Sequence, residues 1–188
     1  MKLLSTTLLV LPLSVLACGP TADPEELTAG GESPAPVADP ADEWTTLVPN
    51  ARQPEEGILS GGQPSAEQLA AIRDAGFRTV VNLRAEGEPG ARAAEVEALG
   101  MGYVALPVAG TKGLDEDNAR AFAEILATVE RPAVIHCGSG NRVGALFALK
   151  AFYVDGETVD EAFVTGERAG LTRLAGAVRQ HLETATDG

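Results

Sequence analysis

The chain has 188 residues, of which 45% are hydrophobic and 4% aromatic, and its formal net charge at pH 7 is −13. This acidity argues against a nucleic-acid partner, because phosphate backbones select basic protein surfaces. Its His, Cys, Asp and Glu residues do not cluster at metal-ligand spacing, so the sequence predicts neither a metal nor another cofactor.

Residues 1–17 have the composition of a secretory signal sequence. One lysine precedes an apolar stretch from Leu8 to Leu16, which is too short to span a bilayer as a mature helix. Val15–Cys18 resembles a bacterial lipobox, whose cysteine is lipidated and becomes the mature N-terminus. The resemblance implies export, a lipid anchor on Cys18 and, since Gly19 follows it, an outer-membrane lipoprotein facing the periplasm. An uncleaved anchor and cleavage without lipid are the alternatives.

Residues 18–43 are rich in Pro, Ala, Gly, Glu and Asp and contain few large apolar side chains. Such a segment cannot bury enough surface to offset the entropy of ordering it. We therefore expect a disordered tether that holds the remainder of the chain away from the membrane. Residues 44–188 are the right number for one domain.

Strands and helices are predicted to alternate along this domain. Apolar and β-branched stretches predict four strands, at Ile58–Ser60, Thr79–Leu83, Tyr103–Val108 and Ala133–His136. Capping residues or helical spacing predict helices that begin near Ser65, Ala91, Asp115, Arg142 and Thr158, and a last helix striped by Leu171, Leu174, Val178 and Leu182. This order predicts an α/β fold, with a parallel sheet of four to five strands flanked by helices on both faces.

Ligands of such sheets bind beyond the carboxyl ends of the strands. Arg84 follows the second predicted strand, Ala109–Leu114 follows the third, and Cys137 follows the fourth. Because parallel strands end at the same edge of the sheet, these segments are expected to approach one another. Arg84 is then either a second anion contact or a surface residue at a strand end.

The loop Cys137–Arg142 lies between a buried strand and the start of a helix. Its small residues allow backbone N–H groups to form an anion-binding nest, and the helix adds its unpaired N–H groups. Thiols in such fields have pKa values of roughly 3.5–7.5, against about 8.5 for a free cysteine. The planar guanidinium of Arg142 can hold two oxygens of a tetrahedral anion. The candidate anion-binding residues are Gly138, Ser139, Gly140, Asn141, Arg142 and Arg84.

The alternative for Cys137 is a purely structural buried thiol. However, the sequence contains only two cysteines. If Cys18 carries lipid, Cys137 has no disulfide partner, and an unpaired thiol in an exported chain indicates reactivity.

His136, Cys137 and Gly140, followed by an arginine, resemble the phosphate-binding loop of cysteine-dependent phosphatases of the dual-specificity and tyrosine type. Gly62–Ser65 and Thr79–Arg84 are similar to the small bacterial phosphatase-like domain found in β-lactamase-hydrolase-like and NAD-kinase-like proteins. The resemblance covers about residues 58–171, and it implies the fold of these phosphatases.

The resemblance also implies a function. In such phosphatases the residue corresponding to Cys137 attacks phosphorus and forms a phosphocysteine, while the arginine corresponding to Arg142 holds the phosphate oxygens. The implied substrate is a phosphorylated protein or small molecule. His136 precedes the nucleophile and is expected to order the loop by hydrogen bonding.

Two positions depart from the usual phosphatase pattern. Four residues separate Cys137 from Arg142, whereas the usual loop has five. Four is the spacing of rhodanese-type sulfurtransferases, so a persulfide carried on Cys137 is an alternative chemistry. Val143 stands where these phosphatases place a Ser or Thr that stabilises the leaving thiolate, and Ser139 is the candidate replacement.

A general acid is the third uncertain part of the constellation. In the phosphatase families an aspartate on a loop before the cysteine protonates the leaving group. The corresponding stretch, Leu106–Gly110, contains no carboxylate, and Asp115 is the nearest candidate. Asp115 is also a candidate N-cap of the following helix. Without an acid, a catalytically weak module that binds phosphate or another anion is a further alternative.

Overall fold

The structure is a computed structural model that describes residues 44–90 and 93–186. The predicted signal sequence, the tether and the lipidation site at Cys18 lie outside the described residues. None of the described helices has the length and apolar character needed to cross a bilayer.

Five strands and six helices are described, numbered here in chain order. The strands are β1 (Arg52–Glu55), β2 (Ile58–Gly61), β3 (Thr79–Asn82), β4 (Gly102–Ala105) and β5 (Ala133–His136). The helices are α1 (Ala66–Asp74), α2 (Ala93–Ala98), α3 (Glu116–Thr128), α4 (Asn141–Tyr153), α5 (Val159–Arg168) and α6 (Ala175–Thr186). A single 3₁₀ turn, Gly110–Gly113, lies between β4 and α3 in the described chain.

The strands form one sheet in the order β1-β2-β5-β3-β4. The pairs β2–β5, β5–β3 and β3–β4 are parallel, which confirms the predicted α/β fold. Strand β1 corrects the expectation of a wholly parallel sheet, because it pairs antiparallel with β2 at the edge. Its sequence gave no strand signal, since Pro54 lies among polar residues and proline is tolerated in edge strands.

Helices cover both faces of the sheet, as predicted. On one face, Val81 and Ile135 belong to a core that includes Phe122 of α3 and Phe147 of α4, whose ring centroids lie 5.1 Å apart. On the other face, strand residues pack with side chains from α1 and α2, a set that includes Val80, Val134, Leu69, Ile72 and Val96. The two-sided burial explains why the central strands are apolar at consecutive positions.

The predicted capping residues are observed. Ser65 and Gln68 form a capping box on α1, Thr158 and Glu161 form one on α5, and Asp115 caps α3. Two predicted boundaries are wrong. The strand expected over Tyr103–Val108 ends at Ala105, shortly before Pro107, which has no N–H for the ladder. The last helix begins at Ala175, so Leu171 and Leu174 precede it.

Candidate active site

Strand β5 directs the loop Cys137–Arg142 to the middle of the carboxyl edge of the sheet. Its last residue, His136, pairs with Gly61 on one side and Asn82 on the other. The loop then reaches α4 through Gly140, which has a left-handed φ of 87° and occupies the N-cap position. A side chain at this position would be strained, which explains the glycine.

Four successive carbonyl groups of the loop accept hydrogen bonds from outside the phosphate-binding concavity. Three belong to residues 137–139, and their donors are His136 Nδ1 at 3.4 Å, Gln63 N at 3.4 Å and Asn50 Nδ2 at 3.2 Å, respectively. The carbonyl of Gly140 accepts from Gly144 N in the first turn of α4. The N–H groups at the start of α4 have no intrahelical acceptor. This is the backbone arrangement expected of an anion nest.

The thiol of Cys137 lies at the base of this nest. The residue is 1% exposed, and its Sγ accepts a hydrogen bond of 3.2 Å from the N–H of Gly140. The contact favours the thiolate, since an N–H donor stabilises the negative form of the acceptor. Above it lies a cavity of about 410 Å³, whose lining includes Glu88, Gly110, Cys137, Arg142, Arg173 and Leu174.

The guanidinium of Arg142 is fastened along one edge. Its Nη1 contacts the carbonyl oxygens of Val108 at 2.9 Å and Leu83 at 3.3 Å and the Oε1 of Glu88 at 3.3 Å. Its Nη2 donates to Glu88 Oε2 at 2.7 Å. Among the described residues, these contacts use no hydrogen of Nε and only one of Nη2. The remaining Nε/Nη2 edge has the fork geometry that binds two oxygens of a tetrahedral anion.

Glu88 is a site residue that sequence reasoning missed. Its carboxylate bridges Arg142 and Arg84, with Oε2 3.0 Å from Arg84 Nε. The hydrogen bond from Arg142 lowers the pKa of Glu88 below its ordinary value, although desolvation opposes the shift. Glu88 is therefore ionised near neutral pH. Its spacing of four residues from Arg84, in the loop after β3, is the one local signal that could have indicated the pair.

Arg84 lies against the phosphate-binding loop, with only 15% of its side chain exposed. Its Nη1 is 2.6 Å from the position that a Cβ at Gly138 would occupy, so this glycine allows the close approach. The backbone N–H of Arg84 donates to Asn82 Oδ1 at 2.8 Å, which fixes the turn after β3. Of the two expectations for Arg84, this position favours a charge beside the anion site.

Asn141 and Ser139 connect the loop to the segment between α5 and α6. The Oδ1 of Asn141 accepts from the backbone N–H groups of Thr172 at 3.1 Å and Leu174 at 3.2 Å. The hydroxyl of Ser139 accepts from Nη2 of Arg173 at 3.1 Å. These side chains therefore position neighbouring elements, while their backbone belongs to the anion nest. Arg173, which sequence reasoning missed, becomes part of the cavity through this contact.

The structure does not bring Asp115 into the cavity. Its Oδ1 accepts from Asn118 N at 2.8 Å, as the cap of α3 requires. The 3₁₀ turn places Gly110 in the cavity lining instead, and Asp115 follows where the chain enters α3. Among the described residues, Glu88 is the carboxylate that lines the cavity. The geometry thus gives Asp115 a structural position, in contrast to the expected proton donor.

His136 is fully buried beneath the loop. Desolvation lowers its pKa to about 4, and the positive charges of Arg84 and Arg142 act in the same direction. The imidazole is therefore neutral at physiological pH. Since the carbonyl of Cys137 can only accept, Nδ1 is the donor of the 3.4 Å contact, as expected of a residue that orders the loop.

A cysteine and an arginine in one loop, between the central strand of a mostly parallel sheet and the N-terminus of a helix, define the class of cysteine-dependent phosphatase domains. Residues 39–181 match the family described as DSP-PTPase phosphatase fused to NAD+ kinase. The match covers most of the chain, and the protein belongs to this family.

Relatives of known description agree with this assignment. A β-lactamase-hydrolase-like protein from Xylella fastidiosa (strain Temecula1 / ATCC 700964) is 34% identical over 123 residues, which are 62% of this chain and 28% of that protein. The chain thus spans little more than a quarter of the relative. A similar protein from Agrobacterium fabrum is 33% identical over 100 residues, or 50% of this chain and 23% of its own length.

Solved structures show the same fold. A candidate phosphatase from Neisseria meningitidis superposes with a TM-score of 0.60 at 21% identity, covering 71% of this chain and 96% of its own. A cysteine-to-serine variant of TpbA from P. aeruginosa, in complex with phosphotyrosine, has a TM-score of 0.54 at 20% identity and covers 84% of this chain and 99% of its own.

Proposed function

We propose that this protein hydrolyses phosphoric monoesters through a phosphocysteine on Cys137. The observation that carries the proposal is the geometry of one cavity. The Sγ of Cys137, the N-terminus of α4 and the unused edge of Arg142 all face it or line it. No other group of the described residues combines a thiol with an anion nest.

The proposed reaction has two steps. In the first, the thiolate of Cys137 attacks phosphorus, the P–S bond forms, and the bond from phosphorus to the leaving oxygen breaks. In the second, water attacks phosphorus and the P–S bond breaks, which releases inorganic phosphate and restores the thiolate. The loop N–H groups and Arg142 stabilise the charge that develops on the non-bridging oxygens in both steps.

The proposed substrates have good leaving groups, as in aryl phosphates and phosphotyrosine. Glu88 is ionised and bound to two arginines, and Asp115 caps a helix, so neither is poised to donate a proton. An aryl oxygen leaves without protonation more readily than an alkyl oxygen does. The structural likeness to TpbA, which was solved with phosphotyrosine, supports this choice.

The test is hydrolysis of p-nitrophenyl phosphate by the purified full chain. Wild-type protein is expected to release phosphate, and Cys137→Ser is expected to lose this activity while it still binds vanadate. Arg142→Lys should retain the charge but lose the bidentate fork, so its KM should rise. Equal background rates for wild type and Cys137→Ser would overturn the proposal.

A second candidate function is sulfur transfer, favoured by the four residues between Cys137 and Arg142. Thiosulfate and cyanide are offered to the same preparations. Thiocyanate formation that depends on Cys137, without phosphate release, would select this function. Vanadate binding with neither activity would indicate an anion-binding module.

We also propose that the domain is anchored to the outer membrane as a periplasmic lipoprotein through Cys18. The support is the lipobox-like Val15–Cys18 after an apolar stretch. Full-length protein expressed in a Gram-negative host is expected to incorporate labelled palmitate and to fractionate with outer membranes. Cys18→Ala should abolish the labelling. A wild-type chain without label would contradict the proposal.

A further inference from the structure

Arg173 is held over the cavity by its neighbours in sequence. The backbone N–H groups of the residues on either side of it, Thr172 and Leu174, both donate to the side chain of Asn141. Asn141 begins α4, the helix whose N-terminus forms the anion nest. The position of residue 173 is therefore fixed relative to Cys137, although Arg173 lies in a connection between helices.

The guanidinium of Arg173 has unused binding capacity. It donates one hydrogen bond, from Nη2 to Ser139 Oγ at 3.1 Å, out of the five donors that an arginine carries. In the part of the chain that the structure describes, no carboxylate lies within ion-pair distance of it. Arg84 and Arg142, in contrast, share Glu88. An unneutralised cation is notable in a chain of net charge −13.

The cavity has room for more than a phosphate group. Its volume of about 410 Å³ falls within the range of pockets that hold whole small molecules. Arg173 and Leu174 line it together with Cys137, so a bound ester would place its leaving group beside the guanidinium. Arg142 already has a free edge for the phosphate itself.

We propose that Arg173 binds a second anionic group on the leaving portion of the substrate. The substrate class is then a phosphate ester that carries a carboxylate, sulfate or further phosphate close to the phosphate that is cleaved. This inference rests on the proposed phosphatase function. A partly exposed guanidinium gives a modest gain in affinity, because solvent screens its charge.

The probes are the ortho, meta and para isomers of carboxyphenyl phosphate, each paired with its uncharged methyl ester. The kcat/KM of each pair is measured for the full-length wild type, Arg173→Gln and Arg173→Lys. The difference in leaving-group reactivity within a pair is the same for every variant, so it cancels in the comparison. Arg73→Gln removes one positive charge from α1, remote from the cavity lining, and serves as the matched control.

For at least one isomer, Arg173→Gln is expected to reduce kcat/KM on the carboxylate about fivefold more than on its methyl ester. Arg173→Lys should retain part of this preference, and Arg73→Gln should retain all of it. Equal losses on both members of every pair would show that Arg173 binds the reacting phosphate, which overturns the inference. Unchanged preferences would overturn it as well.

Binding separates this inference from the proposed reaction. The same pairs are titrated by calorimetry into Cys137→Ser and into Cys137→Ser combined with Arg173→Gln. A preference for the carboxylate that disappears with Arg173 supports the second anion site even if no probe is hydrolysed. Hydrolysis without any such preference would leave the phosphatase function intact and remove the second site.

Discussion

Glu88 and Arg142 form a two-point contact across the mouth of the cavity. Oε2 of Glu88 lies 2.7 Å from Nη2 of Arg142, and Oε1 lies 3.3 Å from Nη1. The carboxylate therefore occupies one edge of the guanidinium and leaves the Nε edge for an anion. The pair joins the loop after β3 to the first turn of α4, so one ionic contact sets the direction of the phosphate clamp.

Replacement of Glu88 by Gln is expected to lower kcat/KM for p-nitrophenyl phosphate about tenfold, since a charge-assisted contact that orients Arg142 is weakened. Steady-state kinetics measures the effect. Glu86→Gln, a change of equal charge in the same loop but outside the lining of the Cys137 cavity, is the control and should behave as wild type. Faster turnover in Glu88→Gln would mean that the carboxylate competes with phosphate instead.

Asp115 is expected to affect stability but not catalysis. Asp115→Asn keeps a good N-cap and should leave turnover unchanged on both aryl and alkyl phosphates, whereas Asp115→Ala should lower the free energy of unfolding by about 1 kcal/mol. Urea denaturation and paired rate measurements check both effects. A selective loss of alkyl phosphate hydrolysis in Asp115→Asn would restore this residue as the general acid.

Asn141 is expected to link stability to the position of Arg173. Asn141→Ala removes the acceptor for two backbone N–H groups, which should lower the free energy of unfolding by about 1–3 kcal/mol. Asn141→Asp keeps the acceptor oxygen and should recover part of this stability. It also adds a negative charge beside the anion nest, so its KM should rise. Recovery of both stability and KM would contradict this assignment.

The burial of His136 predicts a loss of stability in acid. Its pKa is lowered to about 4 in the fold, whereas the unfolded chain binds the proton near the ordinary value of 6.5. Between these pH values the unfolded state holds more protons, so the free energy of unfolding rises with pH and is lost as pH falls from 6.5 towards 4. At about 1.4 kcal/mol per pKa unit, the loss is about 3 kcal/mol.

Urea denaturation at several pH values measures this loss, with His136→Asn as the reference. The amide of Asn can still donate to the carbonyl of Cys137 but does not titrate. Lowered pKa values of Glu88 and Glu161 also reduce stability in acid, and they are common to both proteins. The difference between the two pH profiles isolates His136. Parallel profiles would show that the imidazole does not titrate as described.

The sequence by itself determined the features that depend on neighbouring residues. The loop Cys137–Arg142 holds thiol, amides and guanidinium within six consecutive positions, so its chemistry could be inferred without a fold. Capping boxes at Ser65 and Thr158 use a spacing of three residues. The alternation of apolar strands and helices likewise predicted the two-sided sheet, because hydrophobic periodicity is local.

Only the tertiary structure decided which distant side chains join the loop. Glu88 meets Arg142 across a separation of 54 residues, and Arg173 meets Ser139 across 34. Neither pairing leaves a local pattern, because each depends on where parallel strands end and how α5 and α6 pack beside α4. Asp115 shows the converse: it was the nearest carboxylate in sequence, but the helix that it caps holds its side chain outside the cavity.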